Sequence, residues 1–239
     1  YHDTEWCKPN FDDKYLFEML ILESFQAGLS WECVLNKRED FRKAFDNFDI
    51  EKICNYNDEK IHELLKNEKI IRNKLKINAT INNSKIFKKI QNEYGTFHNY
   101  LKTFTNDVII YEIDKTTNQL SDDLSKDLQK RGMKFVGSTI IYSYLQAIGI
   151  IYSHDKECFM YYQAFVSYVD SLNQVYQCES VKNQKYYCWV YEDEKYCILE
   201  EIYNSMKSGQ FNEQNRYRNF NNYVNEKLSD IEYPEQFSH

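Results

Sequence analysis

Glycine and proline are scarce in this chain, 6 and 2 in 239 residues. So few turn-formers, beside long stretches of 3.6-residue periodicity, argue against a turn-rich β fold and for an all-α one. No apolar run reaches membrane-spanning length, and the first residues do not read as a signal peptide. The 7 cysteines form no Cys-x-x-Cys pair and no tight regular framework, which points to a reducing compartment and mostly free thiols. No internal repeat is visible. Residue 1 is Tyr rather than Met, so the chain is expected to be a fragment, a processed form or an incomplete gene model. An excess of positive charge is also missing: the net charge is −7, which at first argues against a nucleic-acid partner.

The distribution of charge softens that argument. Residues 1–158 carry 23 Lys and Arg against 25 Asp and Glu, whereas residues 159–239 carry 7 against 12. The acidity is therefore concentrated in the tail. Lys126, Lys130, Arg131 and Lys134 have only Asp127 as a local opposite, and such a patch suffices for a phosphate contact whatever the overall sign. It also fits a solvated helix face. The remaining composition, 42% hydrophobic and 28% charged, is that of an ordinary globular protein. Composition shifts again after Cys158, where 12 of the 21 tyrosines gather with much Asn and Gln. We therefore expect one domain over residues 1–158 and an acidic, Tyr-rich extension over 159–239, helical or partly disordered.

Capping residues divide the first domain into helices. Asp12 or Asp13 opens one that ends at Gly28. Ser30 opens a second carrying Val34, Leu35, Phe41 and Phe45. Asp49 and Asp58 open two short helices, and a long basic one runs from about Ile70 to Tyr94, stopping at Gly95. Thr96 begins another. Residues 106–122 read as a polar loop. Ser121 or Ser125 then caps a helix ending at Gly132, and Ser138 or Thr139 caps the next, through Tyr152. In the extension, helical patterns are expected around residues 161–175 and 196–206.

Three groups of residues carry chemistry. Glu23 lies in an almost wholly apolar helix, where a carboxylate costs free energy unless something binds it. Gln26 is one turn on, and Trp31 follows the Gly28 break. An acid, an amide and a large aromatic grip a flat, polar-edged ligand such as a nucleobase; a core Glu paired with Lys or Arg is the alternative. The second group is Arg131, Gly132, Lys134, Gly137, Ser138 and Thr139. Here a helix ends at Gly132, a hairpin follows, and Gly137 turns into a helix whose N-terminal amides favour an anion. That is the plan of a helix-hairpin-helix phosphate clamp, and equally of an ordinary helix–turn–helix corner. The third is His154 and Cys158, spaced four apart, with His2 as a further nitrogen donor; the set suits zinc, although isolated His and Cys are more often structural.

Read together, Tyr1-His2-Asp3-Thr4-Glu5-Trp6, Leu16-Phe17-Glu18, Leu22-Glu23, Gln26-Ala27-Gly28-Leu29-Ser30-Trp31 and Lys37-Arg38-Glu39 closely resemble the type I 3-methyladenine DNA glycosylases. So do Ile70-Ile71-Arg72-Asn73-Lys74, Ser125-Lys126, Lys130-Arg131-Gly132, Lys134-Phe135-Val136-Gly137, Gln146-Ala147 and the His154 and Cys158 pair. The match runs in order to about residue 158. The resemblance implies an all-α fold of the helix-hairpin-helix repair superfamily with a small zinc-binding subdomain made from the chain ends. It implies excision of 3-methyladenine from alkylated double-stranded DNA, releasing the free base, by a monomer acting in the cytoplasm of a bacterium or the nucleus of a eukaryote.

By motif position, Glu23 hydrogen-bonds the edge of the base and is the catalytic-site acid. Trp31 stacks on its face, Gln26 lies beside it, and Tyr1 and Trp6 complete the wall. Arg131, Lys134, Gly137, Ser138 and Thr139 face DNA, and His2, His154 and Cys158 fall on three zinc-ligand positions. The family's fourth ligand belongs to a Cys-x-Trp motif upstream of Tyr1. Two further departures stand out: Cys7 replaces a usual Gly, and Lys102 a usual aromatic. Residues 142–147 contain no Asp where related repair enzymes place a general base, so none is assigned. A catalytically impaired DNA-binding homologue, and a glycosylase carrying a partner-binding tail, are the competing readings.

Overall fold

The computed structural model describes residues 1–105, 109–155, 158, 160, 176–179, 185–191 and 194–199. The chain divides into two compact units, Tyr1–Ser153 and His154–His239. In the first unit the helices are α1 (Asp13–Gln26), α2 (Trp31–Leu35), α3 (Arg38–Ala44), α4 (Ile50–Cys54), α5 (Asp58–Lys66), α6 (Lys74–Tyr94), α7 (Phe97–Thr105), α8 (Gln119–Lys130) and α9 (Ser138–Ala147). No helix among the described residues is long and apolar enough to cross a membrane.

Most boundaries follow the capping chemistry. Asp12 accepts from the amides of Lys14 and Tyr15, Ser30 from Cys33 and Asp49 from Lys52. Five differ from expectation. The helix opened by Ser30 breaks at Asn36 and resumes as α3. Asn57 rather than Asp58 caps α5, and α6 begins at Lys74 because the Asn73 side chain takes the amides of Leu75 and Lys76. Asn118, in a reciprocal capping box with Ser121, starts α8 ahead of the expected serines, and Gly137 stands at the N-cap of α9.

Helix α1 is the centre of the unit. Every residue from Leu16 to Phe25 is buried, the mark of a helix enclosed on all sides. It packs against α2, α6, α7 and α9, and Phe17, Phe25, Phe41, Phe45, Phe48 and Phe87 form a connected aromatic cluster around it.

The fold is mostly helical, not all-α. Within the stretch expected to be a loop, β1 (Ile110–Tyr111) pairs in parallel with β2 (Ile151–Tyr152). Helix α9 therefore ends at Ala147 and does not reach Tyr152. Ile150, Ile151 and Tyr152 are β-formers, and Gly149 ahead of them holds φ at +80°. A Cβ at Gly149 would stand 2.3 Å from the Pro9 nitrogen, so only glycine lets the N-terminal segment cross there.

In the second unit, β3 (Tyr176–Glu179), β4 (Lys185–Tyr191) and β5 (Glu194–Leu199) form an antiparallel sheet. The helix expected from residue 196 is thus replaced by a strand over Tyr196 to Leu199. Aromatic and β-branched residues crowd both runs, and that propensity prevails over a helical reading. The pattern at 161–175 lies outside the described residues.

Candidate functional site

The first unit contains a cavity of about 330 Å³ lined by Tyr1, His2, Trp6, Glu23, Gln26, Trp31, Ser143 and Gln146. All five residues expected to form a pocket, Tyr1, Trp6, Glu23, Gln26 and Trp31, meet there. Glu23 and Gln26 come from the last turns of α1, and Trp31 opens α2 just beyond the Gly28 turn. Ser143 and Gln146, three apart on α9, close the opposite side. Ser143 was not singled out in the sequence and Gln146 was given no role; the available signal was their polarity within an apolar helix.

Glu23 is 3% exposed. Its Oε2 is buried without a hydrogen-bond partner, and burial alone raises its carboxyl from 4.5 to about 8. Glu18, five residues earlier on the same helix, shows the other fate of a buried acid. Its Oε1 accepts from Arg38 Nε at 2.6 Å and Arg42 Nε at 2.8 Å. The paired core glutamate considered for Glu23 is therefore Glu18.

Arg38 also fixes the N-terminal segment. Its Nη1 and Nη2 lie 2.8 and 2.7 Å from the two carboxylate oxygens of Glu5. The Tyr1 carbonyl accepts the amides of Thr4, Glu5 and Trp6, and the Cys7 amide donates to the Gln146 carbonyl. Cys7 holds φ at 60°, in the region that suits the glycine it replaces. This folded-back segment sets the Tyr1 ring 5.4 Å from that of Trp31. The Tyr1 hydroxyl is buried without a partner, and its ionisation is pushed up, first by burial and then by Glu23. His2 stacks on Trp6 at 5.6 Å, with Nδ1 2.7 Å from Asp3 Oδ1.

The hairpin between α8 and α9 is held from below by α6. Buried Asn83 receives the Lys134 amide at 2.9 Å and donates to its carbonyl at 2.8 Å, while Asn82 donates to the Gly132 carbonyl. Sequence reasoning missed Asn83; a fully buried Asn in a helix of Ile and Phe was the sign. Gly137 stands at φ −65° with no side-chain cap, and a Cβ there would meet nothing within 4 Å. Lys134 and Thr139 are exposed. Ser138 gives its hydroxyl to Asp122, leaving its amide as the outward donor. Arg131 departs most from expectation. It bonds Asp127 at 2.6 Å, Glu93 at 2.6 Å and the Tyr94 hydroxyl at 3.2 Å, and lies over the Tyr100 ring. Its guanidinium braces α8 against α6 and α7.

His154 and Cys158 belong to the second unit. His154 and Asp155 lie outside any regular element. A turn, with the Cys158 amide on the Asp155 carbonyl, nevertheless brings Cys158 Sγ to 3.4 Å from His154 Nδ1.

Residues 1–161 match the model of a family described as methyladenine glycosylase. The chain is 41% identical over 168 residues to DNA-3-methyladenine glycosylase 1 of Escherichia coli (strain K12), covering 67% of this chain and 89% of that protein. A crystal structure of 3-methyladenine DNA glycosylase I (TAG) superposes with a TM-score of 0.64 at 40% identity, covering 66% of this chain and 91% of that one. A variant of such an enzyme, solved in complex with 3-methyladenine, gives 0.63 at 34% identity, covering 66% and 88%.

The raised carboxyl of Glu23 has a consequence for stability. The folded chain keeps a proton there that the unfolded chain loses above about 4.5, so stability falls as pH rises from there to about 8 and then levels. Glu23→Gln removes this dependence. In urea melts, its stability relative to the parent should rise between pH 5 and pH 8.5 by up to about 4 kcal/mol. A difference that is the same at both pH values would show that Glu23 is ionised throughout.

Proposed function

The chain belongs to the methyladenine glycosylase family, and on that footing we propose that it excises 3-methyladenine from DNA by hydrolysing the N-glycosyl bond, with Glu23 as the residue that reads the base. The observation that carries this reading is the buried, unpartnered Glu23 oxygen in a cavity walled by Tyr1, Trp6 and Trp31. Methylation at N3 gives the adenine ring a positive charge and weakens its bond to the sugar. An extruded base of that kind supplies what the cavity lacks: hydrogen-bond donors and charge for Glu23, and a cationic face for the tryptophans.

Little acid catalysis is then required. Water adds at the sugar C1′ and gives up a proton to solvent, the electron pair of the broken bond returns to the ring, and the base leaves neutral. Glu23 hydrogen-bonds the base edge, Trp31 stacks on its face, and Tyr1, Trp6 and Gln26 shape the wall. Helix-hairpin-helix contacts to the DNA backbone fall to Lys134 and to the backbone at Gly137, Ser138 and Thr139. The uncapped start of α9 and the open space at Gly137 support this. Arg131 acts by bracing the hairpin.

His154 and Cys158 are proposed to supply two ligands of a structural zinc ion. The donor set is suited to that metal, and a 3.4 Å separation of sulfur and nitrogen in His154 and Cys158 is close to the edge of about 3.5 Å expected for two ligands of one tetrahedral zinc. Such an ion contributes folding stability and takes no part in bond cleavage.

Three outcomes test these assignments. Glu23→Gln keeps the shape of the side chain and removes its charge; one hydrogen bond to a charged group is worth roughly 1.5–3 kcal/mol. Affinity for free 3-methyladenine, by calorimetry, should fall about 10- to 100-fold, with a parallel loss of excision from methylated duplex; unchanged affinity removes Glu23 from recognition. Gly137→Val adds its side chain into open space, so the melting temperature should hold while affinity for undamaged duplex DNA falls and base affinity stays. An equal DNA affinity in that variant would discard the clamp. Metal analysis of the purified chain should find zinc, lost together with melting temperature in His154→Ala; a metal-free chain of undiminished stability argues against the ion.

A further inference from the structure

Lys76, on the first turn of α6, is 6% exposed and has no carboxylate partner among the described residues. A buried cation of this kind is costly to retain. Its ammonium donates to the carbonyls of Phe25 at 2.8 Å and Ala27 at 2.6 Å. Both lie at the end of α1, where helix carbonyls lack partners within the helix and the dipole is negative. The Leu29 amide takes the carbonyl between them, Gln26, at 2.6 Å. All three carbonyls leading out of α1 are thereby fixed, and with them the turn through Gly28 that separates Gln26 from Trp31. On its other side the same ammonium stands 5.9 Å from the centre of the Phe135 ring, in the hairpin. Burial lowers the affinity of Lys76 for its proton, so the contact persists against a desolvation penalty.

We propose that Lys76 is a positioning residue for base recognition: its ammonium fixes the turn at residues 27–30 beside the hairpin, so that Gln26 and Trp31 enclose a formed cavity before any base enters. The side chain does not reach the cavity and touches no substrate. Its effect passes through the backbone of α1 and the stacking face of Trp31. The proposal rests on the assignment of the cavity to 3-methyladenine. A methionine of similar length would leave two buried carbonyls without donors and free the turn to sample other directions, which lowers affinity through the fraction of molecules with a formed cavity.

Calorimetric titration of the full chain with free 3-methyladenine, well below the melting temperature, tests this on Lys76→Met and Lys76→Gln. Affinity for undamaged duplex DNA is measured alongside, with single-turnover excision of the methylated base. Base affinity and the single-turnover rate should each fall about tenfold in Lys76→Met, with duplex affinity within twofold of the parent. Lys76→Gln, neutral but still a donor, should fall between the two and serves alone if the Met variant does not fold. A folded variant with a lower melting temperature but parental base affinity and rate would make Lys76 a structural residue only and overturn the inference. A parent chain that does not bind 3-methyladenine would instead overturn the assignment of the cavity.

Discussion

Two buried acids compete for one supply of positive charge along α1, and the result decides what the cavity can do. Arg38 and Arg42 come from the next long element of the chain, and both turn to Glu18. Arg38 has donors left over, and these take Glu5. None reaches Glu23. Breaking such a buried pair is expensive, about 3–5 kcal/mol when one partner is removed, so the arginines stay where they are. The same ion pairs bind the first residues to the helical core and bring Tyr1 and Trp6 to the cavity. Among the described residues no cation pairs with Glu23, while the network that assembles the wall around it holds Arg38 and Arg42 on Glu5 and Glu18. Unpaired buried acids in clefts mark functional sites more often than structural ones.

Helix α9 performs three tasks along its length. Its first residues present amides with no side-chain cap. Its middle lends Ser143 and Gln146 to the cavity. Its end receives the N-terminal segment through the Gln146 and Ile148 carbonyls. From the hairpin end of this helix, Ser143 and Gln146 lie about one and a half to two turns on. The buried Asn83 ties the hairpin to α6 by treating the Lys134 backbone as a strand partner, one donor and one acceptor on a single amide.

Much of this was legible because caps and apolar periodicity are local. Asp12, Ser30 and Asp49 mark helix starts by side-chain chemistry that acts within three residues. The burial of Glu23 was readable from its neighbours. What escaped was settled at a distance. The partner of Ile110 is Ile151, 41 positions on, and no window over residues 106–122 contains it. Arg131 reads as a free cation beside a basic run; only the fold reveals Glu93 and Tyr94 waiting for it. His154 and Cys158 meet through a turn although spaced as on a helix. In the tail, Tyr-rich runs suited either secondary structure, and pairing among strands decided for a sheet.

If the cavity receives the base as proposed, the raised carboxyl of Glu23 bears on how a methylated adenine differs from an ordinary one. At pH 7, ionising Glu23 costs about 1.4 kcal/mol, one unit of pKa. A cationic ring offsets this: opposite charges 4 Å apart at an effective dielectric constant of 20 attract by about 4 kcal/mol. A neutral adenine offers no such return. It meets either a protonated, neutral Glu23 or a carboxylate whose desolvation nothing offsets. The tryptophans add to the same preference, since their faces attract cations and are indifferent to the sign of a neutral ring. Under that assignment, discrimination between the two bases while they are still joined to DNA draws on the charge that only the methylated ring carries.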